Sequence, residues 1–289
     1  MRGARAIKSL RRWRQEFVLA TGLCVLTSVA IAADEPSLQW HPRIAVVSDY
    51  ISRGVTQTWG GPAVQGEVEV EHDSGAYAGA FASNVSQREY PGAALEVDVW
   101  LGYEHELAER RSLGVEIIGY LYPGANVSKG NQCGTPCPNQ SFNTSLVRAF
   151  LNVGGMMLRA GYSLTDYFGE STRTGFDGST RGTWYLEVNL DQPVPWVERW
   201  HALAHAGYTL YPAKFVGTTT PQAPERPDYW DFRLGVARDF DARIGKARVG
   251  LFYAFTTNPS FFRDTRSATS SETRDLARPT VFLEAALSF

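Results

Sequence analysis

His201 and His205, with Ser163 and Glu187 on neighbouring predicted strands, are the residues of this sequence that could carry covalent chemistry. A hydrolytic site needs a nucleophile, a base and an orienting acid within hydrogen-bond reach of one another. Four positions apart on a strand, the two histidines stand about 13 Å apart along one face. They cannot share a metal as helical histidines at that spacing do, and no nucleophile motif surrounds any serine. A second set is larger. Glu67, Glu69, Glu96, Asp98, Glu116, Glu187, Asp231 and Glu284, with Arg148, Arg159, Arg233 and Arg248, fall in alternating runs on the face opposite the apolar residues. The acids concentrate in the earlier runs and the arginines in the later ones. On facing walls of a closed sheet they would set a transverse field across water, which favours polar solutes over apolar ones. Paired across strands, they would brace the wall instead.

The elements that must position these residues read as strands. Val64 to Glu71 alternates without error, and so does Leu95 to Glu104. In the last nine residues Val281, Leu283, Ala285, Leu287 and Phe289 are apolar, while Glu284, Ala286 and Ser288 are small or polar. Only Phe282 breaks the rule. Runs of roughly 9–12 residues are the length a tilted strand needs to cross a bilayer. The predicted strands are 43–53, 62–71, 75–85, 94–105, 111–122, 144–153, 156–166, 181–190, 199–211, 228–239, 246–256 and 279–289.

Connection lengths give an independent check. They are short after the second, fourth, sixth and tenth strands. The three longest, near 123–143, 212–227 and 257–278, have the opposite parity. Transmembrane barrels have short periplasmic turns and longer outer loops. Trp184, Tyr208, Trp230, Tyr253 and Phe255 fall near the predicted outer ends of strands, and Tyr103, Trp200 and Phe289 near the periplasmic ends. The expected fold is therefore all-β: an antiparallel transmembrane β-barrel of about 12 strands, wide enough for a lumen.

The first 32 residues predict export. Arg2, Arg5, Lys8, Arg11, Arg12 and Arg14 precede an apolar run from Phe17 to Ile31, and Ala30-Ile31-Ala32 has the form of a signal-peptidase site. At about 15 residues that run is short for a spanning helix. The expected organisation is a signal peptide over 1–32, a short periplasmic segment over 33–42 and an outer-membrane barrel over 43–289. The chain has 28 basic and 30 acidic residues. Without the six basic residues and Glu16 of the signal, the balance is roughly −7, which argues against a nucleic-acid partner. Cys133 and Cys137 in the exported part predict a short local disulfide in an oxidising compartment. No further Cys or His stands near enough in sequence to make a zinc site with them, and no dinucleotide or phosphate-loop motif implies a cofactor.

At Ser48-Asp49-Tyr50-Ile51-Ser52-Arg53-Gly54-Val55-Thr56-Gln57 the sequence resembles the TorF family, whose members are described as porins. Pro62–Gly66, Ser74–Gly79, Ala82–Val85, Glu96–Val99 and Tyr120–Gly124 are similar too. The likeness is strongest over 44–124 and thins to patches such as Tyr229-Trp230-Asp231. The resemblance implies an outer-membrane barrel that is a channel; the charged inward face, not the resemblance, suggests small polar solutes or ions as what it passes. The terminal strand, ending on Phe289, resembles the closing strand of such barrels and implies handling by the barrel-assembly machinery. Arg263, Arg266, Arg274 and Arg278 in the last long loop suit the phosphates of lipopolysaccharide. The other classes the sequence leaves open are a barrel enzyme acting on lipid and a non-conducting barrel that binds partners through its loops.

Overall fold

The computed structural model describes residues 37–131, 137–217, 223–257 and 262–289. Twelve antiparallel strands form the wall: β1 Leu38–Val47, β2 Ala63–His72, β3 Ala76–Asn84, β4 Leu95–Ala108, β5 Arg111–Leu121, β6 Thr144–Val153, β7 Met156–Ser163, β8 Trp184–Pro193, β9 Trp200–Leu210, β10 Tyr229–Ala242, β11 Gly245–Thr256 and β12 Thr280–Ser288. Each pairs with its sequence neighbours. β12 then pairs with β1, from Arg43 opposite Ser288 to Val47 opposite Glu284. The sheet is a closed barrel, so no strand edge is left to seek a partner.

The two-residue period decides which way each side chain faces. On β4, Val99, Leu101 and Tyr103 point out and are 45%, 60% and 47% exposed. Glu96 and Asp98, on the alternate positions, point in and are buried. β5 repeats this with Leu113, Val115 and Ile117 outside and Glu116 and Ile118 inside. The outside of the barrel is thus an apolar belt, far larger than the patches a soluble monomer exposes. Near the ends of β9, β10 and β11 that face the long connections, rings form a ladder on this surface. Tyr208 and Trp230 lie 4.8 Å apart, Phe232 and Phe255 5.0 Å, and Tyr253 and Phe255 5.6 Å. Tyr162 and Trp184 add an edge-on pair at 5.1 Å.

The connections at one end are short, around 73–75, 109–110, 154–155, 194–199 and 243–244. Those at the other end, 48–62, 85–94, 122–143, 164–183, 211–228 and 257–279, are long and pack on one another through Tyr90, Tyr122, Tyr167, Phe176 and Tyr211. β1 begins at Leu38, inside the segment expected to precede the barrel. Pro42 has no N–H and reads as a strand break, yet it sits opposite Val68 in an unbroken register, and its carbonyl accepts the N–H of Phe289 at 3.2 Å. At its other end β1 is shorter than predicted, because after Val47 the chain leaves the wall and turns inward. The expected signal peptide, and Cys133 of the expected Cys133–Cys137 disulfide, lie outside the described residues; the Cys137 sulfur lies 3.3 Å from the Gly130 carbonyl.

Candidate functional site: a hairpin and a charged lumen

The inward turn is built from the segment Ser48 to Gln57. Ile51–Ser52 and Val55–Thr56 pair as a minimal hairpin around Arg53 and Gly54. Both corner residues have positive φ, 49° and 76°, as a two-residue hairpin turn of this hand requires. At Gly54 nothing larger fits: a Cβ there would stand 2.4 Å from Thr256 Cγ2 and 2.9 Å from Asp231 Cβ. The hairpin is closed at its base by Asp49, whose carboxylate accepts the hydroxyls of Thr56 and Thr58, the latter at 3.1 Å. Burial pushes the Asp49 carboxyl up from its ordinary range against the pull of those two hydrogen bonds. The Thr56 N–H donates to the Leu276 carbonyl at 3.0 Å, and Val55 and Trp59 pack on Leu276 and Ala277. The hairpin is therefore anchored to the last long loop as well as to β1.

Arg53 reaches from its tip into a cage of rings. Its guanidinium carbon lies 4.4 Å from the ring centre of Tyr185, 5.2 Å from Tyr167 and Phe168, and 5.5 Å from Tyr120. Nη2 donates to the Tyr120 hydroxyl at 3.2 Å, and Nη1 donates to that of Tyr167. A non-glycine residue in the left-handed region costs on the order of 1 kcal/mol or more. Cation–π contacts worth about 2 kcal/mol when desolvated offset that cost. Ser52, Arg53 and Tyr120 border two chambers, one of about 350 Å³ within the strands and one of about 410 Å³ among the long loops.

The residues singled out by alternation all face inward on their strands, but several are partnered. Arg148 Nε lies 2.7 Å from Glu116 Oε1, and Tyr77 donates to the other oxygen of Glu116 at 3.0 Å. Arg159 pairs with Glu187 at 2.8 Å. Glu284 pairs with Arg43 across the β1–β12 seam. Glu69 accepts the indole N–H of Trp100 at 2.7 Å, and Glu96 accepts the hydroxyl of Tyr122 at 2.9 Å. Glu67, Asp98, Arg148, Arg159 and Arg233 border the strand-level chamber. Strands β2 to β4 carry the acids Glu67, Glu69, Glu96 and Asp98 inward and no inward arginine or lysine. Arg233 lies 5.5 Å from the Phe252 ring centre.

Arg248 lies near the short-turn end, where it bridges Asp239 at 2.6 Å and Asp191 at 2.7 Å. The bond to Asp191 crosses the lumen from β11 to β8. His201 contacts the same two acids, with Nε2 3.5 Å from Asp239 and Nδ1 against Asp191. Asp191, Asp239 and Arg43 were not picked out by sequence reasoning. Asp191 lies just past the predicted end of its strand, and Arg43 opens the first one. Their shared signal was an acid or base in phase with the inward set.

His205 directs Nε2 to Asp231 at 2.8 Å and Nδ1 to Asn189 at 2.8 Å. The Ser163 hydroxyl donates to the Thr165 carbonyl at 2.8 Å. Neither histidine nitrogen faces that serine, so the arrangement lacks the contact that activates a nucleophile. Of the loop arginines, Arg263, Arg266 and Arg278 are exposed, and Arg274 lies half-buried against Gly60.

The fold and site define a closed twelve-stranded barrel with an apolar exterior, charged side chains on its inward face and a hairpin turned inward at one end. The chain belongs to the family described as "Bacterial protein of unknown function (Gcw_chp)", which matches residues 33–281. No curated protein matches the sequence. Among solved structures, the KdgM porin is similar over 86% of this chain and 99% of its own, at 9% identity and a TM-score of 0.45. The NanC porin is similar over 87% and 99%, at 9% identity and a TM-score of 0.43. The outer membrane protein OprD of Pseudomonas aeruginosa is similar over 89% and 66%, at 11% identity and a TM-score of 0.36.

Proposed function

We propose that this protein is a porin of the bacterial outer membrane that passes small polar solutes through a charged lumen narrowed by the Arg53 hairpin. The observation that carries the reading is the chamber of about 350 Å³ inside the strands, bordered by Glu67 and Asp98 and by Arg148, Arg159 and Arg233. A wall with this much inward charge is stable only if water or polar cargo occupies the space it faces. The apolar belt and the ring ladder suit a bilayer around the outside, since closed barrels are the only way strands cross one. The resemblance of Ser48–Gln57 to TorF family porins agrees with this assignment.

On the same reading, residues 1–32 are a signal peptide and the terminal strand through Phe289 engages the barrel-assembly machinery. Exposed Arg263, Arg266 and Arg278 meet lipopolysaccharide phosphates. Opposed acids and arginines work in two ways: Glu116–Arg148 and Glu187–Arg159 brace the wall, and the acids of β2 to β4 face the arginines across water.

Proteoliposome swelling tests the reading. Liposomes carrying the refolded barrel should swell in isosmotic glycine or arabinose and not in isosmotic stachyose. Swelling no faster than empty liposomes, from protein shown to be folded and inserted, would overturn it.

A further inference from the structure

The chamber among the long loops has a chemistry that the strand-level lumen does not share. Its walls are rings: Tyr90 and Tyr122 stack at 4.2 Å, and Phe142 stands edge-on to Tyr90 at 5.4 Å. Three carboxylates are set into this aromatic surface. Glu96 is 3% exposed, and its Oε2 has no hydrogen-bond partner among the described residues; Glu89 Oε2 and Glu170 Oε2 have none either. Each of these groups keeps one oxygen unpaired, although Glu96 accepts from Tyr122 and Glu170 from Tyr211, and burial favours the protonated form of Glu89 and Glu170. The cations bordering the chamber are Arg53 and Arg266. Arg53 is already committed to its rings, and Arg266, which has contacts of its own, lies at the exposed rim.

We infer that this chamber is a binding site for an organic cation of about the size of choline. Such a cation presents an apolar, weakly hydrated charge that ring faces attract, and its charge favours ionisation of the buried carboxyls beside it. The floor of the chamber shows the same recognition: the Arg53 guanidinium sits against Tyr167, Phe168 and Tyr120. A neutral polyol would stack on the rings but would not draw the acids into their charged form, and an anion would oppose it. At about 410 Å³ the chamber is in the range of small-molecule sites. Binding here does not require that the barrel conduct, so the test uses binding alone.

The experiment is calorimetric titration of the full-length mature barrel in detergent with choline, with its neutral isostere 3,3-dimethylbutanol and with maltotriose. Saturable choline binding at one site, at least tenfold tighter than the isostere, is expected. Glu170→Gln with Glu89→Gln should reduce choline affinity about tenfold and leave the isostere unchanged. Equal affinity for cation and isostere would overturn the assignment, as would choline silence from a folded barrel. Binding of maltotriose without choline would make the chamber a carbohydrate site and overturn it too. The isostere comparison is made on the wild-type chain, so it stands even if the variants do not fold. Failure of conduction with intact choline binding would refute the porin reading and not this one.

Discussion

The Arg53 guanidinium lies 4.4 Å from the centre of the Tyr185 ring, which joins the tip of the first long loop to the inner face of β8 across the barrel. A hairpin held only at its base would be free to move inside the barrel. Here its tip is fixed to rings from β5, β8 and the loop after β7, and its flank is bonded to the loop before β12. The segment that carried the family resemblance is thus the one that turns inward and borders the chamber within the strands. Its residue types suit an inserted constriction. Asp49 with Thr56 and Thr58 closes the base, Gly54 makes the corner and Arg53 holds the tip.

Gly54→Val should expel the hairpin, because a branched side chain would have to occupy the space of Thr256 and Asp231. Trypsin added to the intact barrel reads this directly. Arg53 in the wild type should resist cleavage, and in the variant it should be cut. Equal resistance in both would mean that the corner tolerates the branch and that the packing around Gly54 is not what seats the hairpin.

Glu116 and Arg148 form a buried pair on adjacent strands. Arg148→Met should destabilise the barrel by about 3–5 kcal/mol, the usual result of leaving one charge of such a pair alone. Adding Glu116→Gln should recover most of that loss. Urea unfolding in lipid vesicles measures both, and a double variant no better than the single one would remove the pair from the account of stability.

Arg148→Gln with Arg159→Gln should turn the pore towards cations, since the acids of β2 to β4 would then face no countercharge from these strands. The reversal potential in a salt gradient gives the answer. An unchanged potential would show that neither arginine faces the conducting path.

Burial among rings raises the Glu170 carboxyl to about 8, against the pull of a hydrogen bond from Tyr211, whereas an exposed glutamate titrates at ~4.3. Between those values the native loops hold a proton that the unfolded chain has released. The stability of the loop bundle therefore falls as pH rises through that window and is lowest above about 8. The groups facing Glu170 are the phenols of Tyr90, Tyr167 and Tyr211, all themselves held protonated by burial, with Arg53 and Arg266 bordering the same chamber. Hydrogen exchange over 164–183 should show less protection at pH 9 than at pH 6 in the wild type, and no such difference in Glu170→Gln. Equal loss in both would assign the pH dependence to another group.

The wall was legible in the sequence because every strand obeys one period, and a single slip would turn Leu101 inward and Asp98 into the apolar belt. Loop parity was legible for a similar reason, since short turns and long loops segregate to opposite ends. The interior was less so. That Glu116 pairs with Arg148 follows from their register, opposite one another on neighbouring strands. That Arg248 reaches Asp191 depends on barrel diameter and side-chain reach across three strands, which alternation does not encode. The inward turn of Ser48–Gln57 was hidden for a different reason. Ile51 and Val55 alternate well enough to extend a strand, and what draws them off the wall is Arg53 meeting rings contributed by β5, β8 and the loop after β7.

Single-channel recording from the refolded mature protein and its Arg53→Ala variant in a planar bilayer tests the central claim most directly. A charged, water-filled lumen narrowed by the hairpin predicts discrete open steps in the wild type and larger steps in the variant. Silence from both, with folding and insertion shown independently, would contradict the claim of a conducting lumen; equal steps from both would contradict the role given to Arg53.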